Sequence, residues 1–286
     1  RRLSGKPAGA SSNGRTFGMN RGPQRRWDGR DASELAGLDR TRAIAVLPLA
    51  AIEQHGPHLP LDVDLRIAEG VLGAALGRFA PEPPLVVLPS QAVGYSAEHK
   101  RYPGTKSKPP AALIDEWTGL GAAAAGAGIR KLVMFNGHGG NSEVMRIVAR
   151  ELRVRHRMLA VAASWYRLVQ LDDLVLAGEL AHGIHGGMVE TSVMLHLAPE
   201  AVHMSQAADF EPASLEMAET FKHLSASGPV AFGWETQDLH PSGAVGNAAA
   251  ATSELGREIV ERAVSGLVEL LEDVDRFDLD RLKDVD

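Results

Sequence analysis

Between Leu47 and Asp64 the chain reads LPLAAIEQHGPHLPLDVD, which gathers Glu53, His55, His58, Asp62 and Asp64 among leucines, prolines and a glycine, with no lysine or arginine. Carboxylates in an apolar segment carry a desolvation cost that nearby positive charge must offset. Carboxylate oxygens and imidazole nitrogens are also the donors that divalent cations take. The segment therefore calls for a bound metal ion, and for further ligands elsewhere in the chain.

Two other stretches offer them. NGHGGNS (136–142) contains His138, and HGIHGGMVETS (182–192) contains His182, His185 and Glu190. Glu53 and His55 are two apart, so in extended backbone both face one side, as two ligands of one ion or of neighbouring ions would. His58 reads as a structural or surface histidine. Asp62 and Asp64 compete for the ligand role, because Asp64 directly precedes a helical pattern beginning at Leu65 and suits an N-cap equally well. Glu190 falls in a first helical turn, where an acid also serves the helix dipole. NGHGGNS has a rival use as a phosphate cradle, but its glycines at 137, 139 and 140 miss the G-x-G-x-x-G register and no Lys-Ser/Thr follows. Glycines beside a histidine suit a place where backbone approaches an ion and a substrate closely.

Composition narrows the chemistry. The 286 residues contain no cysteine, so a metal must be held by nitrogen and oxygen, which 11 histidines and 36 acids supply. A hydrophobic content of 44% suffices for a large core, and no apolar run approaches a membrane span. The net charge of -6 speaks against nucleic acid or an anionic membrane as partner. Residues 1–30 run the other way, with eight basic residues and one acid in a Gly-, Ser- and Arg-rich stretch. Residues 1–26 are expected to form a flexible basic tail, and 27–286 a single domain. The opening RRLSG has no apolar region behind it, so the expected compartment is the cytoplasm.

The elements that must position these residues alternate along the chain. AIAVLPL (43–49), LVVLP (85–89), KLVMFN (131–136) and MLAVAASW (158–165) are short continuous apolar runs of the buried-strand type. Helical spacing appears over 64–78, 111–127, 142–155, 188–197 and 253–272, the last led by Ser253 and Glu254 as cap and first-turn acid. Buried strands alternating with amphipathic helices predict a three-layer α/β/α domain, a mostly parallel sheet with helices on both faces. Chemistry in such a sheet sits in loops after the carboxyl ends of the strands, where Glu53, His55 and His138 fall.

The chain resembles the creatininase (creatinine amidohydrolase) family of metal-dependent amide hydrolases. The resemblance rests on LPLAAIEQHGPHLPLDVD, YSAEHKRYPGT (95–105), FNGHGGN (135–141), HGGMVETS (185–192) and SGAVGN (242–247), in order from about Trp27 to the final helix. It implies a creatininase-like fold and a two-metal centre of Glu53, His55, Asp64, His138 and Glu190, with Asp64 bridging. His185 corresponds to the family's proton-transfer residue. The implied cofactors are two divalent ions per chain, zinc, manganese or iron, among which this ligand set does not choose. A homo-oligomer, with a hexamer favoured, is implied as well. Creatinine-cleaving members carry Tyr-Glu after the N-G-H histidine and a tryptophan shortly before the H-G-G histidine. Here Gly139–Gly140 and the Trp-free LAGELAHGI (176–184) stand there. The reading is therefore hydrolysis of a non-standard C–N bond, other than an ordinary peptide bond, in an amide, cyclic amide or formamide, on a small-molecule or short-peptide substrate other than creatinine. Peptidase and deformylase branches, or a non-catalytic metal-binding oligomer, are the alternatives.

Overall fold

The structure, a computed structural model, describes residues 37–283 apart from Pro229, and the expected tail over 1–26 lies outside them. Strand β1 (Ile44–Leu49) leads through α1 (Val63–Arg78) to β2 (Leu85–Val87). Helix α2 (Pro110–Gly126) follows, then β3 (Lys131–Asn136), α3 (Ser142–His156) and β4 (Leu159–Ser164). The second half carries α4 (Ala177–His182), α5 (Met188–Leu197), β5 (Asp209–Phe210), α6 (Ser214–Thr220), α7 (Thr236–Leu239), β6 (Gly246–Asn247) and the long α8 (Ser253–Arg276).

The main sheet has the order β2-β1-β3-β4, and every pairing in it is parallel. Alternate residues of each strand feed opposite cores, as the two-residue period requires. Ile44, Val46, Val133 and Phe135 pack with α1, α5 and α8 on one face. Ala45, Leu47, Leu49, Leu132 and Met134 pack with α2 and α3 on the other. This is the three-layer α/β/α arrangement expected from the alternation of apolar strands and amphipathic helices.

Its topology creates a crevice. After β1 the chain moves to one neighbour, β2, while β3 lies on the other side of β1. The connection leaving β1 enters α1 on one face, and the connection leaving β3 enters α3 on the other. Between their carboxyl ends the loops part, which is where ligands bind in open α/β sheets.

Two helix starts differ from the sequence expectation. Helix α1 begins at Val63, so Asp64 lies inside the first turn; Asp62 holds the N-cap position, makes no cap bond, and pairs with Arg66 at 2.8 Å. The cap of α8 is Thr252, whose hydroxyl accepts from the Leu255 N–H at 3.1 Å, and Ser253 is the first helical residue. The aperiodic stretch after residue 199 folds as short turns, α6, α7 and a two-stranded antiparallel ribbon of β5 with β6.

Candidate metal centre

Glu53 and His55 follow the end of β1 and are buried. His138 follows β3 in a loop built by two asparagines. The Asn136 side chain accepts from the His138 N–H at 3.1 Å and donates to the His138 carbonyl and to Ser164 Oγ. Asn141 links that loop to its neighbours, donating to Asn136 Oδ1 and the Ala50 carbonyl and accepting from the Tyr95 N–H. Gly137 lets the loop lie against α1, since a Cβ there would run into the backbone carbonyl of Asp64. Glu190 stands in the first turn of α5, and its Oε2 accepts from the Gly186 N–H at 2.6 Å across the positive-φ turn at Gly186.

These residues converge. Asp64 turns Oδ1 to His55 Nε2 and Oδ2 to His138 Nδ1, each at 3.3 Å. Glu53 Oε1 lies 3.1 Å from His138 Nδ1 and 3.8 Å from His55 Nε2. Glu190 Oε2 lies 3.9 Å from His55 Nε2. Two groups result, His55 with Asp64 and Glu190, and Glu53 with His138, and the Asp64 carboxylate spans both.

The polarity of the imidazoles points to a cation. His55 Nδ1 lies 3.0 Å from the Glu53 carbonyl and His138 Nε2 2.7 Å from the Tyr95 carbonyl. A carbonyl only accepts, so each ring spends its hydrogen outward and turns a lone pair inward. Inside the cluster Glu53 Oε2, His55 Nε2 and Asp64 Oδ2 are buried without a hydrogen-bond partner. Lone pairs facing lone pairs in a buried place are costly unless a positive ion sits among them. All of these donors are nitrogen and oxygen, which suits zinc, manganese or iron.

The electrostatics agree. Burial opposes charge on His55, but the Asp64, Glu190 and Glu53 carboxylates outweigh it and lift the ring to about 9. His138 is likewise raised against its burial, by Glu53 and Asp64. Burial pushes Glu190 up to about 7. Protons thus take the cation's place wherever one is lacking.

His185 closes the cluster from the H-G-G turn, which is pinned by its backbone to Val245. Its Nε2 donates to the Gln54 carbonyl at 2.6 Å, so Nδ1 faces inward, 3.7 Å from Glu53 Oε1. Burial holds the ring well below the usual histidine range, and therefore neutral. The His185 ring is sandwiched between those of His55 and His99, at 4.1 Å from each.

A cavity of about 700 Å³ opens above these groups, with Tyr166, Leu180, Ile184, Val189 and Trp234 on its walls. Gly139 and Gly140 line it with bare backbone, and a Cβ on Gly140 would meet Tyr95 O, His138 Nε2 and Glu98 Oε1. Glu98 and His99 also line the cavity and were not singled out from the sequence. Their signal was present, an acid beside a histidine in YSAEHKRYPGT, the same mixture that marks Glu53 and His55. Three candidates stand apart from the cluster: Asp62 in its pair with Arg66, His182 against Ser214 Oγ at 2.9 Å, and His58 against Thr191 Oγ1 at 2.9 Å. Trp165 is chiefly a core residue, packed edge-on against Tyr166.

Comparison with known proteins follows the geometry. A family model described as creatininase, creatinine amidohydrolase, matches residues 30–271. The mycofactocin precursor peptide peptidase of Mycobacterium ulcerans (strain Agy99) is 35% identical over 236 residues, 81% of this chain and 85% of that protein. The creatinine amidohydrolase of Pseudomonas putida is 29% identical over 244 residues, 80% and 88% of the two chains. A crystal structure of creatinine amidohydrolase (creatininase) superposes with a TM-score of 0.71 at 26% identity, covering 89% of this chain and 99% of that one. Related creatininase structures include a Zn-Zn type and a Mn form.

Proposed function

This chain belongs to the creatininase family of metal-dependent hydrolases, and from that premise we propose that Glu53, His55, Asp64, His138 and Glu190 hold two divalent ions, zinc, manganese or iron, bridged by Asp64. The observation that carries this is that His55 Nε2 and His138 Nδ1 both face the Asp64 carboxylate, while three buried polar atoms of the cluster are unpartnered. Ions bound there would polarise an amide carbonyl and lower the pKa of water. His185 then handles the proton: Nδ1 takes it from the attacking water, and Nδ1 returns it to the leaving nitrogen as the C–N bond breaks. Gln54 keeps Nε2 protonated throughout, so the ring works at one atom. Bare backbone at Gly139 and Gly140 leaves the substrate room beside His138.

The substrate we propose is a short peptide amide in place of creatinine itself. A cavity of about 700 Å³ exceeds what a single small ring fills and suits a ligand of several residues. The relatives named mycofactocin precursor peptide peptidase, at 33% to 37% identity, support the same class. A cyclic amide or formamide is the second reading, favoured by the creatinine-cleaving relatives.

We further place one hydrolase domain over residues 27–286 and expect a homo-oligomer, a hexamer by family, in the cytoplasm. Exposed apolar side chains at Leu176, Phe221, Leu224 and Val230 support association, and light scattering that returns a monomer mass would end that part. No helix among the described residues is long and apolar enough to cross a membrane. The function is tested by elemental analysis together with a screen of short peptides, cyclic amides and formamides on zinc- and manganese-loaded protein. About two ions per chain with peptide turnover is the expected result, and metal-loaded protein that cleaves only creatinine would overturn the substrate class.

A further inference from the structure

His99 is buried on the cavity wall, and the proton route through His185 makes no use of it. Its surroundings fix its hydrogen. Thr236 Oγ1 donates its single hydrogen to the Glu98 carbonyl at 3.1 Å, so the contact of 2.7 Å between that oxygen and His99 Nδ1 must run from the ring to the hydroxyl. Nδ1 therefore carries the proton, and Nε2 faces the interior as a lone pair, 3.8 Å from Glu53 Oε1. Thr236 is itself held: it is the first residue of α7, whose capping box ties Glu235 to Asp238, while Arg101 grips Glu235 at 2.7 Å. An acceptor aimed at an acceptor is stabilised only by a hydrogen or a cation placed between them. A substrate can supply the missing hydrogen, and a secondary amide brings one, on its nitrogen.

We propose that His99 is a substrate-orienting residue that accepts the N–H of the scissile amide at Nε2, with Thr236 as the positioning residue that locks its tautomer. This rests on the amide-hydrolase reading and deepens it, because it makes the N–H a requirement. The amide carbonyl turns to the metal ligands, the N–H turns to His99, and the nitrogen comes beside His185, whose ring lies tilted against that of His99 at 4.1 Å. Amides alkylated on nitrogen leave Nε2 buried and unsatisfied, and are disfavoured for that reason.

The test uses zinc-loaded protein and two probes, N-acetyl-alanyl-phenylalanine and the same peptide methylated on the scissile nitrogen. Wild type is expected to prefer the first by about 10–100-fold in kcat/KM, the size of one unsatisfied buried acceptor. His99→Ala and Thr236→Val should bring that preference close to one while retaining their zinc, and Thr236→Ser should restore it. Nitrogen-15 spectra of histidine-labelled protein read the tautomer without any substrate. They should show a protonated Nδ1 on His99 in wild type and Thr236→Ser, and a mixture in Thr236→Val. A preference unchanged in His99→Ala, or a His99 protonated on Nε2 in wild type, overturns the assignment. If neither peptide is cleaved while other amides are, the peptide reading fails alone, and the tautomer spectra decide for or against His99.

Discussion

Asp64 and His138 face each other at 3.3 Å across the crevice between α1 and the end of β3, yet the carboxylate oxygen involved, Oδ2, is without a hydrogen-bond partner. A neutral His138 ring commits its one hydrogen to the Tyr95 carbonyl, so only a second proton or a cation between the two groups satisfies that oxygen. Since the other oxygen of Asp64 stands in the same relation to His55, one side chain serves both halves of the centre. Asp64→Ala should therefore lose more than half of the bound metal. Elemental analysis after dialysis checks this, and undiminished metal would remove Asp64 from the centre.

Proton transfer and metal binding separate at the H-G-G turn. His185 turns only Nδ1 inward, whereas Glu190 points a carboxylate at His55. His185→Ala should keep its ions and lose about 10²–10⁴-fold in turnover. Glu190→Ala should lose metal and activity together. Measuring both quantities on one preparation decides, and a His185→Ala protein devoid of metal would make that ring a ligand.

Metal affinity should climb with pH. In ion-free protein His55 titrates at about 9 and His138 also lies above the usual histidine range, so near neutrality both rings hold a proton that a metal must displace. A raised pKa means the protonated, metal-free form gains below that value, so acid weakens binding, and His55 stops competing above about 9. Loading near neutrality should release about two protons, readable by calorimetry in buffers of different ionisation enthalpy. Affinity independent of pH would contradict the ligand roles of both histidines.

The close approach of two backbones at Gly137 is a further point of weakness. A methyl there collides with the Asp64 carbonyl, and neither segment can retreat without moving a ligand. Gly137→Ala should cost about 1–3 kcal/mol of stability, as overpacking does. It should also weaken metal binding, whereas an equally destabilising change in the distant core would leave affinity intact. Denaturant midpoints set beside metal dissociation constants make the comparison.

The strands, the major helices and the three loops bearing Glu53, His138 and Glu190 were legible because each depends on local pattern, apolar runs and helical spacing broken by polar, glycine-rich turns. The Asp62–Asp64 ambiguity was not settled by pattern, since both acids sit at a helix start and the structure distinguishes them only by which one faces His55 and His138. His99 went unassigned because its meaning depends on Thr236, 137 residues further on in an aperiodic stretch. The cavity walls escaped for the same reason: Trp234 and Ala226 reach them from loops without periodicity, placed by tertiary contacts alone.

The loops that build the centre leave neighbouring strands for opposite faces of the sheet, each anchored in its own hydrophobic cluster. Ions held by ligands from both sides, as proposed, would act as a clasp between two half-cores. Neither layer can loosen without tearing ligands from the clasp, so loaded protein should melt as one cooperative unit. Because binding favours only the assembled state, stability grows with the logarithm of free metal. A chelator would then work as a denaturant, removing no covalent bond and no residue, only the reason for the two halves to stay in step.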